Sequence, residues 1–274
     1  MGRFFDMDNP FFSFMGRIAD LFLLNMLFLL SCVPAFAVFY VTTALKLPFL
    51  LCMALICLST VLIGPAISAL YYVSMKLIRK EESYLHKDFF HSFKQNLKQG
   101  AVIQLIIAVA AIILAWDIYI VRHMENPSNV LFVIFLIIAV ILINIYIYVY
   151  PLQAKFFNSI RNTFQNALLM AIAHLPYTAV MFVVTLIPLF ILLIPNARTQ
   201  FLLIFIYLCI GPTLGIYAKS ALFVKIFDKY IPKEEDAEEQ TSEETDGTDG
   251  AAGAGDTDMI EAPDQTDASP EDQS

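Results

Sequence analysis

Leu47-Pro48-Phe49-Leu50-Leu51-Cys52-Met53-Ala54-Leu55-Ile56-Cys57-Leu58-Ser59-Thr60-Val61-Leu62-Ile63-Gly64-Pro65-Ala66-Ile67-Ser68-Ala69-Leu70-Tyr71-Tyr72-Val73-Ser74-Met75 runs for 29 residues without a charge. At 1.5 Å per residue a helix of this length reaches about 43 Å, against a bilayer hydrocarbon core of about 30 Å. The segment therefore crosses a membrane with length to spare and must tilt, break or project. Gly64-Pro65 supplies a break, because proline lacks the amide proton and its ring clashes with the preceding turn. Working outward, six apolar stretches emerge, at about 18–43, 48–77, 100–121, 129–151, 168–194 and 200–225, with further breaks at Pro34, Pro176, Pro188 and Gly211-Pro212. Each is apolar around its whole circumference, the pattern of a helix with lipid on one side and protein on the other. Composition agrees: 58% hydrophobic and 15% charged residues exclude an ordinary soluble globule, where about 45–50% and 25% are usual. The fold class predicted is an all-α integral membrane protein with six transmembrane helices.

Charge divides the chain unevenly. Residues 233–274 hold 16 of the 25 Asp and Glu beside one cation, Lys233, so the pI of about 4.9 describes a tail on a basic, apolar body. That tail has no aromatic residue and cannot bury enough apolar area to offset its ordering entropy, which predicts a disordered, cytoplasmic segment. Fourteen of the 17 Lys and Arg fall on one side of the predicted spans: Arg3 and Arg17; Lys76, Arg79, Lys80, Lys87, Lys94 and Lys98; Lys155 and Arg161; Lys219, Lys225, Lys229 and Lys233. Only Lys46, Arg122 and Arg198 fall on the other, so the positive-inside rule places both termini in the cytoplasm of a multi-pass membrane protein. The domains read as a leader with an interfacial elbow (1–17), a transmembrane domain (18–232) and the acidic tail (233–274). Ala35-Phe36-Ala37 matches a signal-peptidase motif, but Asp6, Asp8 and the apolar run continuing to Leu45 favour a retained span.

An internal repeat organises the spans. Lys87–Leu97 (KDFFHSFKQNL) and Ala154–Phe164 (AKFFNSIRNTF) align at a constant offset of 67, with apolar residues at 89, 90, 93, 97 and at 156, 157, 160, 164. That spacing lays one apolar stripe along a helix, suited to the membrane interface. A weaker copy, Phe11, Phe12, Met15 and Ala19, precedes the first span. The expected unit is an interfacial elbow followed by a helical hairpin, used three times.

Motifs for chemistry are sparse. There is no zinc-protease, nucleophile-elbow or phosphate-loop signature and no pair of intramembrane carboxylates, so the chain is read as non-catalytic and without a cofactor. Cys32, Cys52, Cys57 and Cys209 lie in apolar runs and read as small hydrophobes. Polar groups inside spans are the default functional positions, since each needs a partner or water. These are Asn25, Asn144 and His174; Asp20 pairs by spacing with Arg17, and Asp117 sits in an aromatic belt beside Trp116 and Tyr119. The connection from Tyr71 to Gln99 mixes both signs of charge with phenylalanines. Its Arg79, Lys80, Glu81, Glu82, Phe89, Phe90, Phe93, Lys94 and Asn96 form the expected partner-docking surface, although lipid headgroups alone explain the cations.

At this connection the sequence resembles the YesL-like family of bacterial integral membrane proteins, a family of unknown function. The resemblance is carried by Gly64-Pro65-Ala66, Ala69-Leu70-Tyr71-Tyr72, Lys76, Arg79, Glu81-Glu82, Phe89-Phe90, Phe93-Lys94-Gln95-Asn96 and Lys98-Gln99, and covers about residues 1–230. It implies a small polytopic protein of Gram-positive-type bacteria, often encoded near genes for carbohydrate uptake and polysaccharide degradation, with no established ligand. Two expectations follow. In the first, the chain is a bilayer-embedded, non-catalytic accessory to carbohydrate uptake that docks on a sugar transporter permease or its ATPase. In the alternative it is itself a secondary carrier for a small solute such as a sugar. Basic residues confined to membrane-flanking loops give no argument for nucleic acid.

Overall fold

The computed structural model describes residues 10–124 and 128–230, apart from the side chains of 10–13 and 49. The start of the leader, with the side chains of Phe11 and Phe12 from the weak first repeat copy, and the acidic tail lie outside the described residues. Among those described, the chain is wholly helical: α1 (Pro10–Ala44), α2 (Phe49–Ser59), a 3-10 turn (Thr60–Leu62), α3 (Ile63–Arg79), α4 (Leu85–His123), α5 (Asn129–Lys155), α6 (Ile160–Ala173), α7 (Leu175–Leu192) and α8 (Ala197–Phe227). Six segments are long and apolar enough to cross a membrane: Phe14–Ala44, Leu50–Arg79, Leu85–His123, Asn129–Lys155, Leu175–Leu192 and Ala197–Phe227. Leu50, Leu58, Val130, Ile137, Leu189, Phe201 and many neighbours stay exposed, a girdle that only lipid would solvate without cost.

Of the expected breaks, those at Gly64-Pro65 and Pro176 fall at or near helix boundaries, whereas α1, α7 and α8 continue unbroken through Pro34, Pro188 and Pro212. At Pro212 the carbonyl left without its amide donor is met by Asn25 from another helix, which lets the helix run on. In the second span the α-helix gives way at Thr60–Leu62, and Pro65 sits in the first turn of α3, where a missing amide proton removes no intrahelical bond. In the fifth, Pro176 ends one helix and begins another, so α7 carries the crossing and α6 stands before it as a separate 14-residue helix. The expected span of 168–194 is thus two helices. His174 is the joint, its backbone at φ −119 and ψ 43 outside the helical range.

α3 is the central element, buried continuously from Gly64 to Tyr71, and it packs on α1, α4, α5 and α8. It crosses α4 where two glycines meet. A Cβ at Gly64 would fall on the Gly100 carbonyl oxygen and 2.8 Å from Gln104 Cβ, and one at Gly100 would sit 3.0 Å from Pro65 N. Small residues at a crossing let two backbones approach closely, the usual source of helix association in lipid.

The two strong repeat copies are built differently. Lys87–Leu97 is part of the continuous 39-residue α4, whereas Ala154–Phe164 is split: α5 ends at Lys155 and α6 starts at Ile160, with Ser159 accepting from the Asn162 amide at 3.4 Å. They lie side by side, the Gln99 amide donating to the Asn158 carbonyl at 2.7 Å and that of Gln153 to the Asn96 carbonyl at 3.4 Å.

Candidate functional site

Helix α8 presents a stripe of Ile216, Ser220, Phe223 and Phe227 to the bundle, all buried, and Lys219 lies on it. Its position is the main departure from the sequence reading, which counted Lys219 among the flanking cations. Lys219 stands eight residues, about 12 Å, before the helix end and is only 8% exposed. Its ammonium reaches Thr185 Oγ1 of α7 at 3.4 Å and lies 6.0 Å from the centroid of the Tyr71 ring of α3. Among the described residues the carboxylates in ion pairs are Asp88, Glu81 and Asp228, all with Lys76 or Arg79, and none with Lys219.

Lys219 lines a cavity of about 310 Å³ formed between α1, α3, α5, α7 and α8. Four tyrosines line it: Tyr71, Tyr146, Tyr150 and Tyr207. Tyr150 donates its hydroxyl to Gln104 Oε1, and Tyr148, one residue pair away in α5, bonds the Thr178 hydroxyl at 2.7 Å. Phe28, Pro188 and Pro212 supply apolar wall. The glycines of α8 shape the space. The Tyr207 ring lies across Gly211, where any Cβ would overlap it, while a Cβ at Gly215 would meet only Val184 Cγ1 at 3.8 Å.

Asn25, expected as an intramembrane polar group, braces this wall from α1. Pro212 cannot donate to the Leu208 carbonyl one turn back; Asn25 Nδ2 does so instead at 2.7 Å, reaches the Cys209 carbonyl at 2.8 Å, and its Oδ1 accepts from the Thr213 hydroxyl at 3.1 Å. Asn25 is fully buried and all its contacts are structural. Asn144 and His174 do not join it: neither lines the cavity. Asn144 Nδ2 returns to the Val140 carbonyl at 2.9 Å, and the His174 carbonyl accepts from the Thr178 amide and hydroxyl at 2.9 and 3.0 Å.

The expected docking surface separates into inward and outward halves. Phe89 and Asn96 are buried, because α4 runs straight through this region and turns their face to the bundle; Asn96 Nδ2 bonds the Ser92 carbonyl at 3.0 Å. Arg79 is held within the molecule by Asp228 and, at 4.0 Å, by Glu81. Lys76 pairs with Asp88 at 2.9 Å, which also accepts from the Ser83 hydroxyl at 2.8 Å. Lys80, Glu81, Glu82, Phe90 and Lys94 remain exposed and Phe93 half-buried. Lys80 is the left-handed residue (φ 58) closing α3: its amide bonds the Leu77 carbonyl at 3.3 Å and that of Glu81 the Lys76 carbonyl at 3.1 Å, a Schellman close. Arg17 and Asp20, expected to pair, both line a second cavity of about 230 Å³ with Lys80 and Glu81, without an ion pair between them among the described residues. At the opposite end, Trp116 and Tyr119 stack at 5.6 Å and Arg122 lies 4.6 Å from the Phe132 ring, an aromatic belt around Asp117. Among the described residues no three of His, Cys, Asp and Glu gather at one point.

A signal for Lys219 was present in the sequence: it is the one charged residue on the stripe of Ile216, Ser220, Phe223 and Phe227 at helical spacing. The four tyrosines come from three helices far apart in the chain, and no local pattern joins them.

No curated protein and no solved structure matches this chain. One family model does, described as "Protein of unknown function, DUF624", over residues 21–118, about a third of the chain and covering most of α1 through most of α4.

Proposed function

We propose that the chain is a non-catalytic polytopic membrane protein that binds a small solute in the Lys219 cavity and carries it across the membrane, with both termini cytoplasmic. The observation that supports this most is the cavity itself: about 310 Å³, lined by one cation, a threonine and four tyrosines among apolar side chains. Binding sites for small molecules have this size and this mixture, and ionisable groups within spans mark ligand pathways by default. α7 and α8 form one wall and carry Pro188 and Pro212 beside the cavity. A carbohydrate connection rests on the family resemblance alone.

The test uses a plug. Gly215→Leu fits its first atoms without collision and fills the cavity with the remainder. Purified protein reconstituted in vesicles is expected to release entrapped small solutes selectively, and the Gly215→Leu protein to release none of them. Equal release by both proteins would sink the carrier reading.

A second reading, an accessory that docks on a transporter, keeps one observation: Lys80, Glu81, Glu82, Phe90 and Lys94 remain exposed together. Reversing Lys80 and Lys94 to Glu should then abolish co-purification of a permease or its ATPase while Gly215→Leu leaves it intact.

A further inference from the structure

Lys219 is more than nine-tenths buried, yet among the described residues its polar contacts amount to one long bond to a neutral hydroxyl and one aromatic face. A lone ammonium in a low-dielectric interior costs several kcal/mol unless a counter-charge completes it. None of the acids among the described residues lines the cavity: Asp88 and Asp228 are held by Lys76 and Arg79, Asp20 and Glu81 line the separate cavity by Arg17 and Lys80, Glu82 is exposed, and Asp117 lies toward the other end of α4. The hydroxyls of Tyr71, Tyr146 and Tyr207 form no hydrogen bond among the described residues and stand as further donors on the same wall. The site therefore offers one positive charge and several neutral donors, and it is electrically complete only when something else brings a single negative charge.

We propose that the solute is a small organic monocarboxylate, its carboxylate held by Lys219 and Thr185 and its body laid against the rings of Tyr71, Tyr146, Tyr150 and Tyr207. This rests on the solute-binding reading and narrows it. One ammonium neutralises a carboxylate, whereas a phosphate dianion would leave a net charge stranded in the same low-dielectric space. The tyrosine rings give flat apolar contact with hydroxyls at the edges, which suits a compact ring or short chain with hydroxyl substituents.

The experiment measures binding to the purified full-length protein in detergent by equilibrium dialysis. The probes are three monocarboxylates (lactate, glucuronate and benzoate), their neutral counterparts (propane-1,2-diol, glucose and benzyl alcohol), and glucose 6-phosphate. At least one acid is expected to bind ten-fold or more tightly than its neutral counterpart, and glucuronate more tightly than glucose 6-phosphate. Lys219→Met should erase the preference for the acid, Lys219→Arg should keep part of it, and Gly215→Leu should remove binding altogether. Because Lys219→Met removes a buried charge, its melting temperature should not fall, and misfolding then cannot account for lost binding. If a neutral counterpart binds as tightly as its acid and Gly215→Leu abolishes both, the charge assignment is wrong while the solute-binding reading stands. Acid binding untouched by Lys219→Met, tighter binding of glucose 6-phosphate, or no binding of any acid would each overturn the proposal; binding untouched by Gly215→Leu would overturn the solute-binding reading as well.

Discussion

Lys219 is placed where stability alone would not keep it. Replacing a buried charge by a well-packed apolar side chain of similar length is often stabilising by about 1–4 kcal/mol, so Lys219→Met is expected to raise the melting temperature in detergent while it removes ligand recognition. A fall in melting temperature would show that the ammonium is a structural tie to Thr185 and Tyr71. Asn25 is the opposite case, a polar residue whose side-chain amide is spent on the Leu208 carbonyl that Pro212 frees, the neighbouring Cys209 carbonyl and the Thr213 hydroxyl. Asn25→Leu should therefore destabilise by about 1–2 kcal/mol, the scale of an interhelical hydrogen bond in a membrane protein. Restoring the missing amide with Pro212→Ala should recover part of that loss, because Leu208 regains a donor on its own helix. A double-mutant cycle checks the coupling; strict additivity of the two substitutions would mean that the Leu208 carbonyl is satisfied some other way.

At the scale of elements, the bundle depends on how closely α3 and α4 approach. Gly64→Ala forces its Cβ onto the backbone of Gly100, which a side-chain rotation cannot relieve, so a loss of about 1–3 kcal/mol is expected from overpacking. Gly215→Ala, by contrast, enters ordinary contact with Val184 and should gain about 0.5–1 kcal/mol, since glycine weakens a helix interior. Thermal melts of the two variants should move in opposite directions; a shared direction would remove the argument from the crossing. The existence of all six crossings was legible, because a run such as Leu47–Met75 has one explanation in physical terms, and so were the breaks near Gly64-Pro65 and Pro176, whereas the helices α1, α7 and α8 continue through Pro34, Pro188 and Pro212, where breaks were also expected. Legibility ended where tertiary contact decides. Whether Phe89 and Asn96 face a partner or the bundle depends on α4 continuing unbroken from Leu85, and hydropathy alone could not distinguish that from a separate elbow. Lys219 was absorbed into the flanking cations because a count of loop charges carries no information about depth; its burial follows from the positions of α3 and α7, which no local spacing encodes. Asn25 was legible as an intramembrane polar group, though its partner, the Leu208 carbonyl in α8, lies 183 residues away.

Across the whole molecule, charge separates by end. Lys76 with Asp88, Arg79 with Asp228, the contact of Gln99 with Asn158 and the 5.3 Å packing of Phe156 on Phe227 gather the connections after α3, α5 and α8 at one end of the bundle. Arg122 and Phe132 mark the other end, with the aromatic belt of Trp116 and Tyr119. Removing Lys219 from the sequence count of flanking cations leaves 13 on one side of the spans against Lys46, Arg122 and Arg198 on the other, so the asymmetry of that count survives the correction. Cations resist translocation, so the proposed orientation has the cation-rich end facing the cytoplasm. Reporters fused after Lys46, Arg122 or Arg198 are accordingly expected to signal from outside the cell, and those after Glu82, Lys155 or Lys233 from inside. Glu82 is the decisive position. It lies in the short connection between α3 and α4, whose ends are clamped by the Lys76–Asp88 pair and the Schellman close at Lys80, so an outside signal there would require both helices to be inverted together. Such a result would reverse the side from which the Lys219 cavity is approached, and with it the direction in which any solute is carried.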